Sequence, residues 1–310
     1  MEIHLKSSGG FALGCLPVRQ ARQAAGTRAA CIALLWCLAY GLAACGSAPP
    51  VQSDADARRE RLVDLNDRAQ RAVGRGELRR AAVLYREALR TAESIEDFHA
   101  IGINSLNLAA VHQALGEPEP AHRALERVLA APARFDGPLV AQAAGLKASL
   151  ALQARELGVA EDWLKRAEVE CNPPACRIQT ALLVLRAQLT LERGATGESR
   201  GQAARALAAS RAENSREDEA NALRIDGRAA AAQGGHAEAV KLLNQALAID
   251  KQLASPYKIG LDLMALAETE LMRGEREAAR DYAQRALDVS RAAGNRQQQQ
   301  AAAGILERVR

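Results

Sequence analysis

The stretch GESRG at 197–201 matches G-x-S-x-G, a pattern in which a sharp strand–turn–helix lifts a nucleophilic serine into an exposed position. Acyl transfer at Ser199 would need that strained turn and a histidine base within reach. No alternating strand pattern precedes Gly197, and His236, the one histidine that follows, falls in the turn of a different helical unit. An inter-helix turn is therefore the expected role of this segment, and no catalytic residue is assigned. The other histidines beyond the N-terminal segment are His99, His112 and His122. None stands in H-E-x-x-H or beside a cysteine at zinc-ligand spacing, so no metal site is expected, and His112 reads as a packing residue. Glycines occur singly rather than in phosphate-cradling loops, so no cofactor is expected either.

The remaining reactive groups are thiols, and their meaning depends on where the chain resides. Residues 31–44, CIALLWCLAYGLAA, are an uncharged run preceded by arginines and followed by the polar GSAPPVQSDADARRE. A membrane-spanning helix needs about 20 apolar residues, so this run is short for a span. A basic region, a short apolar region and small residues at its end have the form of a secretory signal. A start near Val18 would leave a signal of conventional length. Leu42-Ala43-Ala44-Cys45 resembles the lipobox of bacterial lipoproteins. The resemblance implies removal of residues 1–44, acylation of Cys45 as the first mature residue, and stable anchoring by several acyl chains. An uncleaved membrane anchor is the alternative. Gly46, where an aspartate often retains lipoproteins in the inner membrane, points to the outer membrane facing the periplasm, with the inner membrane as the other possibility. Residues 45–58 then read as a polar, proline-containing tether. In an oxidising periplasm Cys171 and Cys176, on either side of Pro-Pro in ECNPPAC, are expected to form a local disulfide, with free thiols as the alternative. Their four-residue spacing argues against a redox-active pair.

These groups must be positioned by helices. Of the 310 residues 48% are apolar but only 3% aromatic, so alanine and leucine carry the burial, which suits close-packed helices better than sheets. The net charge of +4 resides largely in the first 44 residues, where Lys6, Arg19, Arg22 and Arg28 face Glu2 alone. The rest, with 37 basic and 36 acidic side chains, offers no electrostatic case for nucleic acid.

From residue 60 onward the chain repeats itself: GRGELRRAAVLYREALR (74–90), ALGEPEPAHRALERVLA (114–130), QGGHAEAVKLLNQALAI (233–249) and MRGEREAARDYAQRALD (272–288). Gly76, Gly116, Gly194, Gly234 and Gly274 punctuate it at intervals of 40, 78, 40 and 40, so one unit is hidden between Gly116 and Gly194. GLKASLALQARELGVAEDWLKRAEVEC (145–171) is that unit, with a turn expected to be shortened or shifted near Gly158. Six units span roughly residues 62–299. Each resembles a tetratricopeptide repeat: helix A, a glycine turn, then helix B carrying small–large–small residues. Ala81, Tyr85 and Ala88 fill those positions in the first unit, Ala160, Leu164 and Ala167 in the third, and Ala239, Leu243 and Ala246 in the fifth. Val128 replaces the last alanine of the second, and Ala283 the large residue of the sixth. The fourth unit, GATGESRGQAARALAASRA, is expected to stretch its turn. The family's helix A tryptophan is leucine here (Leu65, Leu183, Leu223, Leu263), and the 40-residue period resembles the family's long-helix variety.

The resemblance implies an all-α fold: a right-handed α-solenoid of about six helix pairs over residues 59–310, ending in a capping helix. It also implies that helix A residues line a concave groove that holds a peptide or partner helix. Family groove positions fall on Asn66, Gln70, Asn107, Gln113, Gln188, Asn221, Arg224, Arg228 and Glu268. Arg224 and Arg228, four apart on one helical face, would grip an acidic segment. Asn66 and Gln70 replace the lysine and asparagine of the family's carboxylate clamp, so that specificity is not implied. The function expected is a non-enzymatic, membrane-anchored periplasmic scaffold, an accessory to an envelope assembly, secretion or pilus machine, with envelope proteins or peptides as partners. A solenoid that binds peptide or glycan fragments, with a deep closed groove, is the alternative; a periplasmic serine hydrolase using Ser199 is the more remote one.

Overall fold

Each of the six helix pairs turns at one residue with a left-handed backbone, and these residues set the frame of the whole chain. The computed structural model describes residues 54–171 and 176–309. The expected signal segment 1–44, Cys45 and the expected tether up to residue 53 lie outside them. Helix α1 (Asp54–Gly74) begins inside the expected tether, with Asp54 and Asp56 in its first turn, where carboxylates complement the helix dipole. Then follow α2 (Leu78–Glu93), α3 (Phe98–Ala114), α4 (Pro118–Leu129), α5 (Gly137–Gln153), α6 (Leu157–Glu170) and α7 (Gln179–Glu192). The series ends with α8 (Thr196–Ala212), α9 (Arg216–Ala232), α10 (His236–Gln252), α11 (Pro256–Arg273), α12 (Arg276–Ala293) and α13 (Arg296–Arg308). No described residue is in a strand. Consecutive helices pack as pairs, the odd-numbered helices stack along the inner side, and α13 covers α11 and α12 as an unpaired cap. The expected all-α solenoid of six pairs and a capping helix is what forms. No helix among the described residues is long and apolar enough to cross a membrane.

The turn residues are Gly76, Gly116, Arg155, Gly194, Gly234 and Gly274, with φ between +60° and +85°. In each, the next residue's N–H reaches back five residues, as Glu77 does to the carbonyl of Ala72 and Glu156 to that of Ala151. This is the Schellman closure, which needs one left-handed residue. The hidden third turn is therefore neither shortened nor moved to Gly158. Arg155 occupies the glycine's place in register, at φ +60°, and Gly158 lies inside α6. Arginine is strained there, so Arg155→Gly is expected to raise stability by about 0.5–1 kcal/mol, read as a higher urea midpoint at unchanged slope.

The fourth unit also keeps the standard turn. Helix α8 starts at Thr196, directly after Gly194-Ala195, so its turn is not stretched. Ser199 stands where the other units have alanine, Ala203 fills the large position, and Ala206 completes the set. Ser199 is fully buried in α8, and its hydroxyl donates to the carbonyl of Ala187 at 2.8 Å. The G-x-S-x-G match thus falls inside a helix, with the serine facing another helix instead of solvent.

Two junctions leave the period. A 3-10 turn (Pro132–Arg134) precedes α5, which Asp136 caps by accepting from the N–H of Leu139 at 2.8 Å. Between α6 and α7 the structure joins Cys171 to Cys176 through their sulfurs, with Cα atoms 5.1 Å apart. Near the N-terminal end of α6, Glu161 takes Arg193, Arg186 and Lys165 as partners. The bond from Arg193, chief among them, holds the Glu161 carboxyl down to about 2.

Repeats in a solenoid ordinarily touch only their neighbours. Here late and early repeats also meet. Asn295, the N-cap of α13, donates from Nδ2 to the carbonyl of Ala114 at 2.9 Å. A methyl group at Gly116 would lie 2.6 Å from its Oδ1. Tyr257 of α11 accepts at its hydroxyl from Gln153 Nε2. The turns of the second and third units therefore meet the start of α11 and α13 along a seam.

Candidate binding chamber

The seam joins the C-terminal ends of α3 and α5 to the N-terminal ends of α11 and α13, and the inner face holds a partly open cavity of about 380 Å³ lined by α3, α5, α7, α9, α11 and α13. Its size falls in the range of ~300–1,000 Å³ that takes small ligands. Six of the nine expected groove residues line it: Gln113, Gln188, Asn221, Arg224, Arg228 and Glu268. Asn66, Gln70 and Asn107 do not. Asn66 is turned back on the carbonyl of Leu62 and Gln70 is exposed, while Asn107 is buried with its Nδ2 unpartnered.

The walls carry carboxamides from successive inner helices. Gln113 donates to Ser149 Oγ at 2.8 Å, Gln153 holds Tyr257, and Gln188 has no hydrogen bond to any described residue. Asn221 is fixed more tightly. Its Oδ1 accepts from Arg224 Nη1 at 2.8 Å and from Lys258 Nζ at 2.9 Å. With Oδ1 doubly engaged, the amide cannot flip, and Nδ2 is left as the donor.

Arg224 does not face an acidic partner from outside the protein. It is buried between α9, α10 and α11, donating from Nε to Asp262 at 2.6 Å and from Nη2 to Asp250. Neither carboxylate has any exposed surface, and Asp250 Oδ1 and Asp262 Oδ2 have no partner. One guanidinium thus meets two carboxylates. Burial pushes the Asp262 carboxyl up to about 7, with Arg224 opposing and the neighbouring Asp250 adding to the shift. Burial likewise raises the Tyr257 phenol to about 12. The expected grip of Arg224 on an acidic segment is therefore replaced by an internal one, because nearer carboxylates from the next two helices claim it. Arg228 is engaged with Glu192 at 2.8 Å, and Glu268 with Arg308 at 3.5 Å. Arg155 projects from its turn to the rim, exposed and without an ion pair among the described residues. Asp218, also lining, is raised by burial against the pull of the Ser215 hydroxyl.

The histidines do not converge. His112 is buried against Glu117 at 2.7 Å, His99 sits 3.7 Å from Asp136, and the described residues hold no cluster that would bind a metal ion. Sequence reasoning missed Ser149, Gln153, Glu192, Tyr257, Lys258 and Gln298 as wall residues. The signal was the repeat itself. Ser149 stands one repeat before Gln188, and Asp218, Lys258 and Gln298 share a single register.

The fold recurs in solved structures. A Rap protein, solved in complex with competence and sporulation factor, has a TM-score of 0.61 and 17% identity over 81% of this chain and 71% of that one. A signal-transduction ATPase of the STAND class with a tetratricopeptide-repeat sensor, from Pyrococcus horikoshii, has a TM-score of 0.51 and 15% identity. That match covers 84% of this chain but 38% of the other. No family model matches the chain, and no curated protein does. The likeness is one of tetratricopeptide-like fold.

Proposed function

We propose that this chain is a membrane-tethered scaffold of the periplasm that acts by holding a peptide or protein segment in its inner chamber. The observation that carries the binding reading is the chamber wall, where carboxamides from successive inner helices stand among apolar side chains. A carboxamide offers one donor face and one acceptor, the complement of a peptide unit, and the apolar surface between them takes side chains. The Rap protein of similar fold was solved in complex with competence and sporulation factor, so this fold can carry a binding role. Anchoring rests on Leu42-Ala43-Ala44-Cys45: acylation of Cys45 would place the solenoid on the periplasmic side of the outer membrane. That compartment would also keep the Cys171–Cys176 bond oxidised. Partners would then be envelope proteins, and assembly, secretion or pilus machinery the setting.

One observation favours the second reading, a receptor for short peptide or glycan fragments. The seam bounds one side of the groove, and the cavity it borders is partly open and of limited volume, about 380 Å³. A photo-crosslinking side chain at Gln188, activated in intact envelopes, separates the two. The scaffold reading expects a discrete high-mass adduct with another protein; adducts only with small fragments favour the receptor, and no adduct at all removes the chamber as the binding site. Cys45→Ser is expected to move the protein from the membrane fraction to the soluble periplasmic fraction. Continued membrane association would overturn the lipid anchor.

A further inference from the structure

The groups that close the seam are also groups that line the chamber. Gln153 and Tyr257 are bonded across it, and both face the cavity. Gln298, another wall residue, donates from Nε2 to the carbonyl of Tyr257 at 2.9 Å, and its backbone N–H donates to Asn295 Oδ1, the acceptor that caps α13. Asn295 in turn holds Ala114 at the end of α3, and it is buried at 1% exposure. One chain of hydrogen bonds therefore runs from Ala114 through Asn295, Gln298, Tyr257 and Gln153.

What does not cross the seam matters as much. The buried apolar cluster that includes the first three units extends only to Leu189 of α7, and separate clusters serve the later units. None of the apolar clusters joins the second or third unit to α11 or α13. Stacking of neighbours is apolar, whereas the closure from the second and third units to α11 and α13 carries hydrogen bonds and no shared apolar cluster. Polar contacts that water can replace part far more readily than buried apolar faces.

We propose that this seam is the gate of the chamber: Asn295 and Tyr257 are its latch, and the ends of the solenoid part there while the repeat stack stays intact. Passage of a ligand through the gate rests on the reading of the chamber as a binding site. The parting of the seam does not, so the two fail separately.

Hydrogen–deuterium exchange of the full-length chain tests the gate without any ligand. Amides at 114–117 and 295–299 are expected to exchange faster than those buried between stacked helices, by about tenfold or more. In Asn295→Gly/Tyr257→Phe the latch bonds are gone, while glycine still serves as an N-cap. Exchange at both segments is expected to rise by a further factor of about ten, with the stacked helices unchanged. If the double variant unfolds, the wild-type comparison still decides. Seam amides as protected as the stacking interfaces would overturn the gate, as would a folded double variant with unaltered exchange at 114–117 and 295–299.

Discussion

Arg224→Ala is expected to lower the unfolding free energy by about 3–5 kcal/mol, the cost of leaving a buried charge without its partner. The substitution removes three bonds at once, to Asp262, Asp250 and Asn221, and leaves two carboxylates side by side with no exposed surface. Arg224→Lys is expected to recover little, because an ammonium lacks the fork that reaches three acceptors. Urea unfolding followed by far-ultraviolet circular dichroism reads both. The cluster also gives stability a pH dependence of defined sign. Asp262 titrates at about 7 in the folded protein against 3.8 as a free carboxyl, so the folded state keeps a proton that the unfolded chain has released. A carboxyl shifted upward contributes stability that is complete below its unfolded value and is lost as pH rises through its folded one. Stability is therefore expected to fall between about pH 4 and 7, and Asp262→Asn to flatten that slope. An unchanged slope would mean that other groups set it. Asp218, half-buried and raised by burial, is the group to vary next.

The second large effect is steric. Gly227 lies where α9 crosses α10, and a Cβ there would meet Leu243 Cγ at 2.8 Å and the carbonyl of Ala239 at 3.3 Å. Leu243 is fully buried, so the clash has no free volume to relax into. Gly227→Ala is expected to cost about 1–3 kcal/mol by overpacking, even though alanine is the better helix former. Leu243→Ala alone is expected to cost about 2–5 kcal/mol by leaving a cavity. Combined, they are expected to cost less than their sum by at least about 1 kcal/mol, since each substitution makes room for the other. Strict additivity of the two unfolding free energies would show that the helices do not approach as closely as described.

The fold was legible because the repeat is written in residue types that have one packing reason each. Small residues at Ala81, Ala88, Ala160 and Ala246 let helices approach, and single glycines mark turns that require a left-handed backbone. Where the type departed from the pattern, the expectation slipped. Arg155 in a glycine's place made the third turn look displaced, and the extra glycines Gly197 and Gly201 made the fourth look stretched. In both cases the backbone kept the register, because the buried faces of the flanking helices set the phase and the turn had to comply. The groove was legible to a similar degree: a helix face can be read from periodicity, and six of the nine expected residues share one cavity. Which of them face it freely could not be read.

The sequence by itself determined the all-helical repeat, the number of pairs, the unpaired cap and the inner helix face, all of which follow from spacing along the chain. Tertiary structure decided three things. It turned Arg224 inward to Asp250 and Asp262, it buried Ser199 against Ala187, and it brought Asn295 to Ala114 across 181 positions of sequence. The reason is physical. Local pattern fixes which side of a helix is apolar, but the partner of a polar group is whichever group the superhelical path brings within about 3 Å. That path accumulates from small rotations at every repeat junction, so a distant contact depends on all of them together.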